Sequence, residues 1–199
     1  LRNKGKIKKP LYLTLDSNLQ YLIREELMKS QQDFQSIGSA ALLMNVNNGE
    51  ILSLISLPDY DLNKRTSLES ESYINKITLG VYELGSVFKT FTVAAGLESK
   101  TISSNTIFKD LEHSITCDKY TISEHDKLPN KLNTEQILVR SSNIGAVRIA
   151  QKLGVKKYKD FLNSLHLLDT INFDLDEVGT PLSFRWGKCK LATTSFGHG

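Results

Sequence analysis

The chain has 199 residues, is 40% hydrophobic and 24% charged, and carries a formal net charge of +3, an ordinary globular composition with room for a real core. So small a positive excess argues against nucleic acid as a partner. The one basic cluster, Arg2, Lys4, Lys6, Lys8 and Lys9, has no interleaved aromatic residue and reads as a solvated leading segment. No stretch reaches the roughly 18 apolar residues of a spanning helix, and Cys117 and Cys189 have no histidines at metal-ligand spacing. A disulfide between them stays open, and with it the redox compartment.

In chain order, Leu11 to Leu15 reads as a short strand, after which Asp16 or Ser17 caps a helix with Leu19, Leu22, Ile23 and Leu27 at helical spacing. Two β-rich runs, Ser39 to Val46 and Ile51 to Leu57, flank Asn47-Asn48-Gly49, and Asn-Gly between apolar runs is a strong hairpin signal. Asn45 and Asn47 are turn and edge residues on this reading. From Pro58 to Gly80, through Asp59, Asp61, Asn63, Lys64 and Arg65, the chain is polar and without period, a long surface loop of the kind that borders a site.

The only Ser-x-x-Lys follows, at Ser86-Val87-Phe88-Lys89, with a run behind it (Phe91, Val93, Ala94, Ala95, Leu97) that is apolar on nearly all sides and predicts a buried helix over 86–98. Residues three apart share a helix face, so a hydroxyl and an amine lie side by side. Burying the lysine stem favours the neutral amine, which can take a serine proton. On its own, the pattern fits an ordinary helix with a serine cap and a snorkelling lysine better than catalysis.

Residues 100–133 read as irregular, and Glu112-His113 and Glu124-His125-Asp126 as solvated loop rather than metal ligands. Thr134 caps a short helix through Ile137 and Leu138, then Arg140-Ser141-Ser142-Asn143 bends into a second helix from Gly145 to Gly154. A bend held by two helices can aim a hydroxyl and an amide into a cleft; the other Ser-Ser-Asn, at 103–105, merely closes a loop. Lys156 to Leu168 predicts an amphipathic helix with His166 on its flank as a surface histidine, and the chain closes on Ser195-Phe196-Gly197-His198-Gly199.

With Ser86-x-x-Lys89, Ser141-Ser142-Asn143-Ile144-Gly145, Leu13-Thr14-Leu15-Asp16, the Asn47-Asn48-Gly49 hairpin and the Ser195 to Gly199 tail in this order, the chain resembles the transpeptidase domain of class B penicillin-binding proteins, especially the division-specific septal type. The resemblance covers nearly all of residues 1–199. Two departures stand out: Leu84 occupies a usual proline position, and the third motif, Lys-Thr-Gly or Lys-Ser-Gly, does not occur in the 199 residues. The expectation is a partial domain, with that motif beyond Gly199 and a membrane anchor and pedestal before Leu1.

The resemblance implies an α+β fold of the penicillin-binding and serine β-lactamase-like type, an antiparallel sheet flanked by helices plus an all-helical lobe. It also implies no metal or cofactor, and acyl transfer on peptidoglycan stem peptides ending in D-Ala-D-Ala. Ser86 is then the nucleophile, Lys89 its general base, Ser141 a proton relay and Asn143 a ligand of the substrate amide that also orients Lys89. β-Lactams would trap Ser86, a glycosyltransferase and division proteins would be partners, and the domain would lie in the periplasm, anchored to the inner membrane. Without the third motif the 199 residues should acylate poorly. The rival readings are a β-lactamase or β-lactam sensor of the same fold, and a division scaffold that has lost catalysis.

Overall fold

The computed structural model describes residues 10, 12–61, 63–64, 71–175 and 177–198. The basic cluster from Arg2 to Lys9, Leu11, Arg65 and Gly199 lie outside them. The chain is α+β and divides into two compact units, Leu1–Val81 with Ile171–Gly179, and Tyr82–Thr170 with Thr180–Gly199.

In the first unit Asp16 is the cap, its carboxylate accepting from Asn18 N at 2.8 Å and Leu19 N at 3.0 Å to start helix α1, Ser17–Asp33. Strands β1, Ser39–Met44, and β2, Ile51–Leu57, pair antiparallel from Ser39↔Leu57 to Leu43↔Ser53, with a slip before Met44. The turn closes as Asn45 N donates to Glu50 O and Gly49 N to Asn45 O, and Asn45 Oδ1 accepts from Asn47 N. Gln20 fastens α1 to β2 through its amide, donating to Leu54 O at 2.7 Å and accepting from Leu54 N at 3.0 Å and Ser53 Oγ at 2.9 Å.

Two expectations change here. Tyr12 to Leu15 is not a strand: Thr14 Oγ1 to Ile51 O and Asp16 N to Leu52 O tie it to β2 without forming a ladder. No residue of α1 is fully buried: Leu19, Ile23 and Leu27 are half-buried and Leu22 is exposed. Within the long polar loop the described residues include one short 3₁₀ turn, Glu71–Tyr73.

The second unit begins with a 3₁₀ turn, Gly85–Phe88, running straight into α2, Lys89–Glu98. Its buried face holds Lys89, Thr92, Val93, Ala95 and Gly96, while Leu97 is exposed, so the helix is buried on one side rather than all round. Two polar residues lie on that face because both find partners there. Thr92 Oγ1 donates to Ser195 O at 2.7 Å and meets Tyr158 OH at 2.8 Å. Burial pushes the Tyr158 phenol up to about 12, so it serves this junction as a neutral group.

Residues 100–133 are less irregular than their composition suggests. Strand β3, Ile107–Phe108, pairs with β6, Leu132–Asn133, and β4, Ser114–Cys117, forms a hairpin with β5, Tyr120–Ser123. The lobe expected to be all-helical thus carries two small sheets. The β4–β5 turn contains no glycine; Asp118 takes the left-handed conformation instead, at φ 57°.

Helix α3, Thr134–Val139, is capped by Asn133 and not Thr134. Asn133 Oδ1 accepts from Gln136 N while Gln136 Oε1 accepts from Asn133 N, a complete capping box. Helix α4 spans Asn143–Ser164 and is broken at Gly154, which sits at φ 78°. Ile144, Val147, Ile149, Tyr158 and Leu162 on α4 are fully buried and form the centre of the unit with Ile137.

Helix α5, Lys188–Thr194, carries Cys189, which is bonded to Cys117 at the end of β4. The pairing left open by the sequence is therefore made within this unit. Chain entropy for a separation of 72 residues sets an upper figure of about 4.4 kcal/mol, and such bonds typically contribute roughly 2–4 kcal/mol. The expected outcome is that a Cys117→Ser/Cys189→Ser protein unfolds at lower denaturant with a loss in that range, measured by urea titration; an unchanged midpoint would show the bond to be absent in solution.

Candidate active site

The bend expected at Ser141 is a helix stop and a helix start in immediate succession. Ser141 N donates to Leu138 O and Ser142 N to Ile137 O, the paired bonds that close a helix when the residue after its cap turns left-handed. Glycine usually takes that place. Here Ser141 takes it at φ 54°, a strained conformation for a residue with a side chain and of the sort that collects at functional sites. Ser142 then caps α4, its Oγ accepting from Gly145 N at 2.8 Å.

In this conformation Ser141 presents two oxygens to one atom. Lys89 Nζ is 2.9 Å from Ser141 Oγ, 2.5 Å from Ser141 O and 3.1 Å from Ser86 Oγ. Ser86 and Ser141 are exposed, whereas Lys89 is 1% exposed. Two accessible hydroxyls thus share a covered amine.

Burial lowers the Lys89 pKa from 10.5 to about 8, against an opposing pull from the Glu124 charge. At pH 7 roughly one molecule in ten then holds the neutral amine, where a solvated lysine offers fewer than about one in a thousand. A neutral amine has two N–H groups and one lone pair. With the N–H groups given to Ser141 O and Oγ, the lone pair is left for the Ser86 hydroxyl proton.

Asn143 stands apart from this trio. Its Nδ2 donates to Ser123 O at 2.8 Å, at the end of β5, so the amide is engaged by the hairpin and not by Lys89. Glu124 is the departure from the solvated-loop reading. It is 8% exposed, and its carboxylate accepts from Ser142 Oγ at 2.5 Å, Asn143 N at 2.7 Å and Ile144 N at 3.0 Å. A buried carboxylate is tolerated where donors surround it, and the free N–H groups at the start of α4 supply them. His166 is exposed and paired with Asp169, as a surface histidine should be.

Behind the nucleophile the closing segment meets the 3₁₀ turn. Gly85 N donates to Gly197 O at 3.1 Å, and a Cβ on Gly197 would fall 2.1 Å from Gly85 O. Backbone can approach so closely only where there is no side chain. The Ser86 N–H lies in the first turn of the helix, where the ladder offers no acceptor and the dipole favours negative charge.

A family model described as the penicillin-binding protein transpeptidase domain matches residues 39–199. The chain belongs to that family. Among relatives of this transpeptidase family, "Probable peptidoglycan D,D-transpeptidase FtsI" of Caulobacter vibrioides is 34% identical over 96% of the chain and 32% of its own length. "Stage V sporulation protein D" of Bacillus subtilis is 31% identical over 94% of the chain and 30% of its own. The chain therefore spans about a third of the length of these curated relatives. Among solved structures, the apo transpeptidase domain of Burkholderia pseudomallei penicillin-binding protein 3 superposes with a TM-score of 0.79 at 25% identity, over 96% of this chain and 55% of that one.

Proposed function

We propose that the chain is part of a serine D,D-transpeptidase that cross-links peptidoglycan stem peptides ending in D-Ala-D-Ala. The observation that carries this reading is the buried Lys89 amine, hydrogen-bonded at once to Ser86 Oγ and Ser141 Oγ. As Ser86 Oγ attacks the carbonyl between the two D-alanines, its proton passes to Lys89, and negative charge develops on the carbonyl oxygen beside the Ser86 N–H. Collapse expels the terminal D-alanine, whose amine takes a proton from Lys89 through Ser141 Oγ. The amine of a second stem peptide then attacks the acyl-enzyme by the reverse sequence. Asn143 contributes to the substrate side of this bend, and residues 1–199 constitute part of the transpeptidase domain.

A disulfide persists in oxidising surroundings, which supports a periplasmic position for Cys117–Cys189 and the unit that holds it. Among the described residues no helix is long and apolar enough to cross a membrane; attachment to the inner membrane is part of this proposal on the family resemblance. The surroundings Ser141 to Gly145 and Ser195 to Gly197 favour the septal type, with a glycosyltransferase and division proteins as partners and β-lactams as inhibitors.

The test is labelling of the full-length protein by a fluorescent penicillin. Wild type should form a long-lived adduct and Ser86→Ala none. Sustained hydrolysis without adduct would make it a β-lactamase, and failure of wild type to label would make it a scaffold.

A further inference from the structure

Glu124 is a buried carboxylate whose described partners include no cation. Three donors at the start of α4 surround it, and each belongs to the bend that presents Ser141. The Ser142 hydroxyl gives its proton to Glu124 and takes the Gly145 N–H on its lone pair, so the carboxylate fixes a rotor that would otherwise turn. Ser142 is also the residue whose N–H, bonded to Ile137 O, locks Ser141 left-handed. Glu124 is thus linked to Lys89 by the Ser142 hydroxyl bond, the peptide bond from Ser142 to Ser141, and the bonds that Lys89 Nζ makes to Ser141.

The carboxylate arrives from a hairpin fastened at both ends. Glu124 N donates to His113 O where β4 and β5 open, and Ser123 O holds the Asn143 amide beside it. At the turn end, Cys117 bonds to Cys189 of α5. Ile122, buried in the core, and Ile115, packed against it, also hold the hairpin to the unit.

We propose that Glu124 is a positioning residue of this site, fixing the Ser141–Asn143 bend against Lys89, and that the Cys117–Cys189 disulfide holds the hairpin that carries it. The inference rests on the transpeptidase reading above. Glu124 also acts on Lys89 as a charge. Burial opposes that pull and is the larger of the two effects on the amine. Because that negative charge favours the ammonium, its removal moves the amine toward the neutral form and shifts the acid limb of the acylation profile to lower pH.

The experiment measures the acylation rate of the full-length protein by a fluorescent penicillin as a function of pH, with a thermal transition taken for each variant. Glu124→Gln should lower the plateau about 10- to 100-fold, the usual result of a misplacement near an angstrom, while its acid limb moves to lower pH. Glu124→Asp keeps the charge and should restore the limb with part of the rate. In a Cys117→Ser/Cys189→Ser background, adding Glu124→Gln should cost less than it does with the disulfide intact, since the two act through one hairpin. A Glu124→Gln rate and limb equal to wild type, or a lowered plateau with an unmoved limb in Gln and Asp alike, would overturn the positioning role. Strict additivity with the serine pair would overturn the part assigned to the disulfide. Wild type that does not label at all would instead refute the transpeptidase reading.

Discussion

Lys89→Met is expected to reduce penicillin acylation of the full-length protein by a factor of about 10² to 10⁴, the usual worth of a general base, without lowering the stability of the fold. Methionine keeps the reach and the flexible stem of lysine, but its thioether is only a weak acceptor and too poor a base to take the Ser86 proton. The two serines that lose a partner are exposed and can turn to water, so no buried group is orphaned. The lysine itself is a burden to the folded chain. Its pKa falls to about 8 on folding from 10.5, so between those values the unfolded state binds more protons and stability rises with pH, whereas below about pH 8 the full cost of burying the cation is present. Wild type should therefore gain stability as pH rises from about 8 toward 10.5, and Lys89→Met should lack that gain. Urea midpoints at several pH values, beside the acylation rate, check both halves. A Met variant that keeps more than about a tenth of the rate would remove Lys89 from the role of base.

Gly197→Ala is expected to cost about 3 kcal/mol or more and to lower acylation at least about 100-fold, through a residue that touches no substrate. Gly197 has φ 81°, and a Cβ there would lie 2.1 Å from Gly85 O, 2.5 Å from Gly85 N and 2.7 Å from Gly85 C. All three atoms are backbone, so no side chain can swing aside. The left-handed conformation alone accounts for about 1–2 kcal/mol; the remainder comes from prising the closing segment away from the turn that aims Ser86. Gly154→Ala separates the two effects. It too imposes backbone strain, at φ 78° and ψ 161° in a region that is essentially glycine-only, but with nothing within 4 Å of the new carbon. That variant should lose only the strain energy and acylate at the wild-type rate. Equal rates for Ala at 197 and at 154 would show that the Gly85–Gly197 contact does not govern the nucleophile.

Features with local causes are legible in the sequence. Asp16 caps α1, Asn-Gly closes the hairpin, Gly154 breaks α4, and the three-residue spacing of Ser86 and Lys89 places hydroxyl beside amine. Where the cause is tertiary, the residues are silent. Glu124-His125-Asp126 has the composition of a solvated loop, and only the donors of residues 142 to 144, about twenty positions along, make burial of one of its carboxylates tolerable. The β4–β5 hairpin hides for a different reason: its turn uses Asp118 in place of a glycine, although Ser114 to Cys117 and Tyr120 to Ser123 alternate as strands do. Ser141 was legible as part of a motif but not as a left-handed residue, since nothing in Arg-Ser-Ser-Asn announces that helix closure will fall on a serine. The cysteines, 72 apart, contain no hint of their pairing.

The order of residues along the chain gives that pairing one more meaning. Cys189 follows Ser86, Lys89, Glu124 and Ser141, so the bond to Cys117 cannot close until those four residues have been synthesised. A chain with the bond closed has been extended past all four of them. The oxidation state of two residues that touch neither substrate nor nucleophile is thus a marker of maturation, readable by thiol alkylation of whole cells.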